Sequence, residues 1–337
     1  MPSQSNVLRV TAKNVTISGR SYLEGGDLAF CNSNAGIRFA FKGTALSVDF
    51  ASTAYVKNEE TYANVFIDDR EPVTIKIGRA GYQVIATGLQ DGVVHQVRIA
   101  KRSDANIGAM IIRNLKINVG GTFATAEAPQ TNRRILVLGD SITCGYGNLY
   151  ESGEAPSAVV FEDGTNTFAT MLAERCQAEL EVVAISGIGI GNSRNTPFPL
   201  QPVYEQEDNR SKMPLDTKRF VPDLVVISLG TNDDAQNATQ TEIRDGTIKF
   251  IRKIHEDFPK AKIVWTYGIM SRNCMQTLQS TIDGLIAAGD KQLAFVPLEA
   301  PKGEELPLGL AGHPNLKMHA RMAEELLPAV KKLTGWK

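Results

Sequence analysis

Ser141 stands in Gly139-Asp140-Ser141, directly after Arg134-Ile-Leu-Val-Leu138. An apolar run feeding into that triplet reads as a buried strand closed by a tight turn. The turn sets a hydroxyl at the carboxyl edge of a sheet, where open α/β folds bind their ligands. A serine hydroxyl is a weak nucleophile until a base removes its proton. The tetrahedral species made by its attack on an ester carbonyl needs donors aimed at the oxyanion. The triplet alone is three common surface residues, so its meaning rests on whether a base and donors accompany it.

Histidine is the usual base, since its pKa lies near working pH, and the chain has four. His95 falls in an alternating stretch and reads as a strand-face residue. His255 falls on a helix and reads as a surface residue. His319 follows Leu316 on the apolar stripe of the last helix and reads as a satisfied core histidine. His313 lies in Ala311-Gly-His-Pro-Asn315, a loop before that helix, where Pro314 and Asn315 suit a helix start. It is the candidate base.

Donors are offered at two further strand ends. Glu181-Val-Val-Ala-Ile-Ser186 runs into Gly187, where a glycine lets backbone N–H approach a ligand. Asp223-Leu-Val-Val-Ile-Ser-Leu229 runs into Gly230-Thr-Asn232, and the Asn232 amide is a second donor. Singly, Gly187 reads as a turn glycine and Asn232 as a helix cap. In order with Ser141 and His313, the two read as donors aimed at one oxyanion. Asp140 reads as a hydrogen-bond anchor for the turn, Asp233 and Asp234 as braces of the Asn232 loop, and Cys144 as a packing residue. The long stretch from Ile188 to Val221 is rich in Pro, Asn, Arg and Gln, as functional loops on α/β scaffolds often are. Arg194 and Tyr204 in it, and Trp265 at a strand end, are the candidate substrate contacts, each with a bland alternative: a solvated loop for the first two, a core residue for Trp265.

These residues need elements to position them. Residues 1–125 alternate with period two, as in Gly36-Ile-Arg-Phe-Ala-Phe-Lys42 and Ala45-Leu-Ser-Val-Asp-Phe50, with turn signals such as Asp91-Gly92 between the runs. Short strands with no helical stretch predict a β-sandwich. Around Gly120 to Gln130 the chain is small, polar and breaker-bearing, which marks a linker. Residues 126–337 then alternate strand and helix. Strands are expected at 134–139, 181–186, 223–229, 262–267 and 293–297, and helices near 166–178, 239–257, 275–288 and 315–333. That alternation predicts a parallel, three-layer α/β domain.

A length of 337 residues suits two domains. The net charge of −1, without a basic stripe, speaks against nucleic acid or an anionic membrane as partner. No apolar run reaches the ~18 residues of a membrane span. The opening Met1-Pro-Ser-Gln-Ser-Asn-Val-Leu8 lacks the features of a secretory signal. The chain as written therefore reads as cytoplasmic, and as secreted if a signal has been removed. Four cysteines without a Cys-x-x-Cys pair speak against zinc and read as buried thiols.

The ordered blocks Gly139-Asp-Ser141, Gly187, Gly230-Thr-Asn-Asp233 and His313 resemble those of the SGNH (GDSL-like) hydrolase superfamily. The longer strings Gly139-Asp-Ser-Ile-Thr-Cys-Gly-Tyr-Gly-Asn148 and Trp265-Thr-Tyr-Gly-Ile-Met270, with Gly19-Arg20 near the start, are similar to carbohydrate esterase family two. The resemblance implies a jelly-roll sandwich followed by a flavodoxin-like sheet of strand order 2-1-3-4-5. It implies removal of O-acetyl groups from hemicellulose-type sugars, such as acetylated xylan, mannan or their oligosaccharides, often at the 6-position, with no metal or organic cofactor. Ser141 would be the nucleophile and His313 the base. Rival readings are a lipid or thioester hydrolase with the same blocks, and a non-catalytic carbohydrate-binding protein. One position departs from the pattern: Leu310 stands where such enzymes usually carry an Asp. That implies a Ser-His dyad, with a carbonyl of the 310–312 loop accepting from the imidazole. A carboxylate from elsewhere, Glu304 or Glu305, is the alternative.

Overall fold

Ile37, Phe39 and Phe41 recur at period two in the strand Gly36–Lys42, and all three are buried. A pleated strand sends such a set to one face, and neighbours with the same habit supply the opposite wall. The computed structural model describes residues 6–54, 60–78, 80–124, 126–127, 131–155, 157–191, 199–209, 212–302 and 308–337. It divides into two units, Met1–Gln130 and Thr131–Lys337.

The first unit holds two antiparallel sheets. One runs Tyr22–Glu24, Asp27–Phe30, Met110–Ile117, Ala45–Ser52, Ala80–Thr87, with Val7–Arg9 paired to Met110–Ile117. The other runs Thr122–Ala124, Gly36–Lys42, Val94–Lys101, Thr61–Ile67, Val73–Ile77, with Thr16–Ser18 paired to Gly36–Lys42. Phe30, Leu46, Phe50 and Ile112 of the first sheet share one core with Ile37, Phe39, Val65 and Ile99 of the second. This is the expected all-β sandwich.

The second unit carries five parallel strands: β1 (Arg134–Gly139), β2 (Glu179–Ala184), β3 (Leu224–Ser228), β4 (Lys262–Tyr267) and β5 (Leu293–Pro297). Their order is β2-β1-β3-β4-β5, the expected 2-1-3-4-5. Leu224-Val-Val-Ile-Ser228 is buried along its whole length, because helices cover both faces of a parallel sheet. The helices are α1 (Ser141–Cys144), α2 (Phe168–Arg175), α3 (Leu200–Tyr204), α4 (Thr231–Ala235), α5 (Gln240–Asp257), α6 (Met275–Ala287) and α7 (Leu316–Thr334). Thr239 and Glu242 close a capping box on α5. Asn315 caps α7, its Oδ1 accepting from Met318 N–H at 3.0 Å.

Differences from expectation are local. β2 lies two residues earlier than predicted, since pairing with β1 sets Arg134 opposite Glu179, and Ser186-Gly187 belongs to the turn. α2 is shorter than predicted and is followed by Gln177 at φ 49°. The polar stretch after Gly187 contains α3, held by buried Leu200 and Tyr204.

Candidate active site

β1 delivers Ser141 to the sheet edge through a turn with no room to spare. A methyl at Gly139 would lie 2.0 Å from Thr143 Oγ1, so only glycine fits. Asp140 caps α1, its Oδ1 accepting from Ile142 N–H at 3.0 Å. Ser141 opens that helix and is 7% exposed. Among the described residues, its own N–H has no hydrogen-bond partner, as befits the first turn of a helix.

His313 arrives from the other side. The loop before it turns at Ala311 (φ 53°) and Gly312 (φ 78°). The imidazole Nε2 lies 2.9 Å from Ser141 Oγ, and Nδ1 lies 3.1 Å from the Leu310 carbonyl oxygen. A carbonyl only accepts, so Nδ1 carries the proton and Nε2 presents its lone pair to the serine hydroxyl. Burial pushes the His313 pKa below the ordinary histidine value, against a smaller upward pull from the Leu310 and Ala311 backbone. The ring is therefore neutral, and able to take a proton, at neutral pH. Among the described residues no carboxylate bonds to it. Glu304 and Glu305 lie outside the described residues.

Two candidate donors flank the serine. Gly187 adopts φ +83°, a left-handed conformation that disfavours side chains. Its N–H also has no partner among the described residues. Asn232, in α4, reaches the same edge with its amide already engaged. It donates to the Ile188 carbonyl at 2.8 Å and to Asp140 Oδ2 at 3.3 Å. Asp233, fully buried, accepts from Ile190 N–H at 2.9 Å and Gly191 N–H at 3.0 Å. Asn232 and Asp233 thus tie the loop after β2 to the end of β3. Burial raises the Asp233 pKa, and the Ile190 and Gly191 N–H groups oppose the rise.

The proposed substrate contacts fare differently. Trp265 is 0% exposed, with its Nε1–H on the Leu229 carbonyl at 3.3 Å. It is a core residue and offers no face to a sugar. Tyr204 is also 0% exposed, packs edge-on against Phe250 and donates its hydroxyl to Asp257 at 2.8 Å. It anchors α3 to α5 and is not a substrate contact. The core alternative holds for Trp265, whereas Tyr204 is neither a substrate contact nor part of a solvated loop, because an aromatic in a polar stretch has the same local sequence whether its ring faces in or out. Arg194 lies outside the described residues.

The other named residues are structural. His95 is buried between Asp68 Oδ2 (2.7 Å) and the Gln90 carbonyl (2.9 Å). His255 pairs with Asp290 at 2.8 Å. His319 is wholly buried and stacks on Phe168, whose N–H donates to its Nδ1 at 3.1 Å. It is not fully satisfied, since Nε2 has no hydrogen-bond partner among the described residues. Cys31, Cys144, Cys176 and Cys274 are buried thiols. Asp234 accepts from Asn273 at 2.9 Å. One neighbour of the His313 ring, Tyr146, was not singled out from the sequence. Its signal there is its place between Gly145 and Gly147 within the string Gly139-Asp-Ser-Ile-Thr-Cys-Gly-Tyr-Gly-Asn148.

The arrangement is similar to known proteins along nearly its whole length. Residues 137–321 match the GDSL-like Lipase/Acylhydrolase family, and residues 17–126 match the Carbohydrate esterase 2 N-terminal family. The Cellulase/esterase CelE of Acetivibrio thermocellus is 27% identical over 327 residues, covering 93% of this chain and 40% of that protein. The Acetylxylan esterase / glucomannan deacetylase of Cellvibrio japonicus is 24% identical over 360 residues, covering 99% of this chain and 93% of that protein. This chain therefore spans well under half of the first relative and most of the second. A solved family two carbohydrate esterase from Clostridium thermocellum, in complex with cellohexaose, superposes with a TM-score of 0.87 at 26% identity, over 96% of this chain and 100% of that one.

Proposed function

The chain belongs to the GDSL-like lipase/acylhydrolase family, and we propose that it is a carbohydrate O-acetyl esterase acting through a Ser141–His313 dyad. One observation carries the chemistry: Ser141 Oγ and His313 Nε2 stand 2.9 Å apart while Nδ1 faces a carbonyl. In the first half-reaction Ser141 Oγ bonds to the acetyl carbon as its proton passes to Nε2. Negative charge collects on the carbonyl oxygen, within reach of the Ser141 and Gly187 N–H groups and the Asn232 amide. The imidazolium then protonates the sugar oxygen as its bond to the acyl carbon breaks. Water attacks the acetyl-serine, giving its proton to Nε2. Collapse releases acetic acid as acetate and a proton, and restores the serine. The Leu310 carbonyl holds the tautomer throughout but supplies no full charge to the imidazolium.

The substrate class rests on the relatives, which are named for acetylxylan and glucomannan deacetylation, and on the Carbohydrate esterase 2 N-terminal match. Acetylated xylan, mannan or their oligosaccharides fit this reading, with the 6-position among the candidate sites. The test is a panel of acetylated sugars beside longer-chain acyl esters and acyl thioesters, run with the wild-type chain and Ser141→Ala. Acetate release confined to acetylated sugars and abolished in Ser141→Ala is expected. Preference for long acyl chains would move the assignment to lipid or thioester hydrolysis. Activity undiminished in a folded Ser141→Ala protein would remove the serine mechanism.

A further inference from the structure

We propose that Tyr146 and Gly147, in the turn that follows the nucleophile, are positioning residues for His313, whose ring no carboxylate among the described residues holds. The proposal rests on the acyl-transfer reading above. A carboxylate would hold an imidazole by a short, charge-assisted bond. Among the described residues the hydrogen bond on Nδ1 is to the Leu310 carbonyl at 3.1 Å, and the His313 backbone N–H shares that oxygen, also at 3.1 Å. One shared, neutral acceptor fixes the tautomer but leaves the ring weakly restrained in tilt. Catalysis is sensitive to such freedom, because a misplacement of about 1 Å costs roughly 10²-fold.

Two further restraints come from one short segment. The Tyr146 ring lies against the imidazole, with centroids 4.6 Å apart and planes at 44°, inside the range of favourable aromatic contact. Next to it, the Gly147 carbonyl accepts from Leu310 N–H at 3.0 Å. The residue whose carbonyl orients Nδ1 is thereby docked, through its own N–H, onto the turn that follows Ser141. The approach is close enough to demand glycine: a methyl at Gly147 would fall 2.4 Å from Leu310 Cβ, and its φ is +62°. Across the contact, a methyl at Gly309 would lie 2.6 Å from the Gly147 carbonyl oxygen. The turn itself is fastened to the nucleophile, since Tyr146 N–H donates to the Ser141 carbonyl at 3.0 Å. Serine and histidine, 172 residues apart in sequence, are thus set by one rigid segment, Ser141 to Gly147.

Removing the ring has a signature that general damage lacks. Tyr146 covers a face of an imidazole whose basicity burial already depresses. The titratable groups facing that imidazole are Ser141, Tyr146 and, electrostatically, His319. Uncovering the ring admits water and moves its pKa up toward the ordinary value of about 6.5. The experiment measures kcat, KM and the pH dependence of kcat/KM on one acetylated sugar for the wild type, Tyr146→Ala, Tyr146→Phe and Gly147→Ala, with Ser141→Ala as control and circular dichroism for folding. Tyr146→Ala is expected to lower kcat roughly 10- to 100-fold, change KM less than about threefold, and shift the acidic limb to higher pH. Tyr146→Phe, which keeps the ring, should restore most of kcat. Gly147→Ala, which displaces the docked loop, should lower kcat without needing to move the limb. The proposal fails if Tyr146→Ala lowers kcat with the limb unmoved, if it leaves kcat intact, or if Tyr146→Phe is as impaired as Tyr146→Ala. Full activity in Ser141→Ala would instead overturn the underlying acyl-transfer reading.

Discussion

His95 in the sandwich and His313 in the α/β unit make an instructive pair. His95 is the better held: a carboxylate at 2.7 Å on Nδ1, a carbonyl at 2.9 Å on Nε2, and 2% exposure. Among the described residues His313 bonds to the Leu310 carbonyl through Nδ1 and to a serine hydroxyl through Nε2. By strength of hydrogen bonding His95 looks more like a member of a catalytic triad. Yet both its nitrogens are engaged within the sandwich, so neither faces a hydroxyl it could activate, and the ring knits Val94–Lys101 to neighbouring turns. His313 keeps Nε2 open toward a hydroxyl. The difference lies in the architecture around them. An antiparallel sandwich uses its strand ends for tight turns, whose polar groups bond to one another. A parallel sheet must send each strand end into a helix, which leaves N–H groups and side chains converging at one edge.

Substitution tests that contrast directly. His313→Ala is expected to lower kcat by roughly 10³- to 10⁴-fold with little change in the urea midpoint. His95→Ala should leave kcat within about twofold but cost about 2–3 kcal/mol of stability, from lost hydrogen bonds and the cavity, measured by urea unfolding. Equal effects on activity from the two would erase the distinction. Asn232→Ala removes a side-chain donor and the tie to Ile188 and Asp140. A kcat loss of roughly 10²-fold is expected, with KM nearly constant in steady-state assays.

His319 sharpens the comparison from the side of stability. Burial, with a smaller contribution from nearby His313, lowers its pKa to about 3. The folded form therefore resists a proton that the unfolded chain takes up near pH 6.5. Stability from this group is fully present above about pH 6.5 and falls as pH drops toward about 3, at about 1.4 kcal/mol per unit. His319→Gln should flatten that part of a stability–pH curve from chemical denaturation. An unchanged slope would mean that the buried ring does not titrate with folding. The smallest effect is the position of the acidic limb of kcat/KM. With His313 lowered by burial, activity should be lost only as pH falls below the ordinary histidine range near 6.5. A limb above that value, seen in a pH–rate profile, would point to a charged partner for the ring.

Much of the site was legible because strand ends leave local signatures. The apolar run before Gly139, the glycine at 187 and the Gly-Thr-Asn at 230 each mark a strand that stops and must turn, and the parallel order brings those stops to one edge. Leu310 was legible too, as an absence of acid where one was expected. The burial of Tyr204 was not, because composition in a polar stretch says little about which way a ring faces. The tie of Asp233 to Ile190 and Gly191 joins residues 42 and more positions apart and leaves no local pattern.

The sequence alone therefore determined the two architectures, the strand order implied by its family blocks, and the choice of Ser141 and His313 as candidate nucleophile and base. Each depends on periodicity or on residues whose chemistry is scarce in the chain. Tertiary structure alone decided how His313 is oriented, which aromatics are buried, and that the turn after Ser141 docks the histidine loop. Those outcomes follow from packing distances between remote segments, such as the close approach of Gly147 and Leu310. Such contacts are set only when the whole sheet has assembled and each backbone polar group has found its partner.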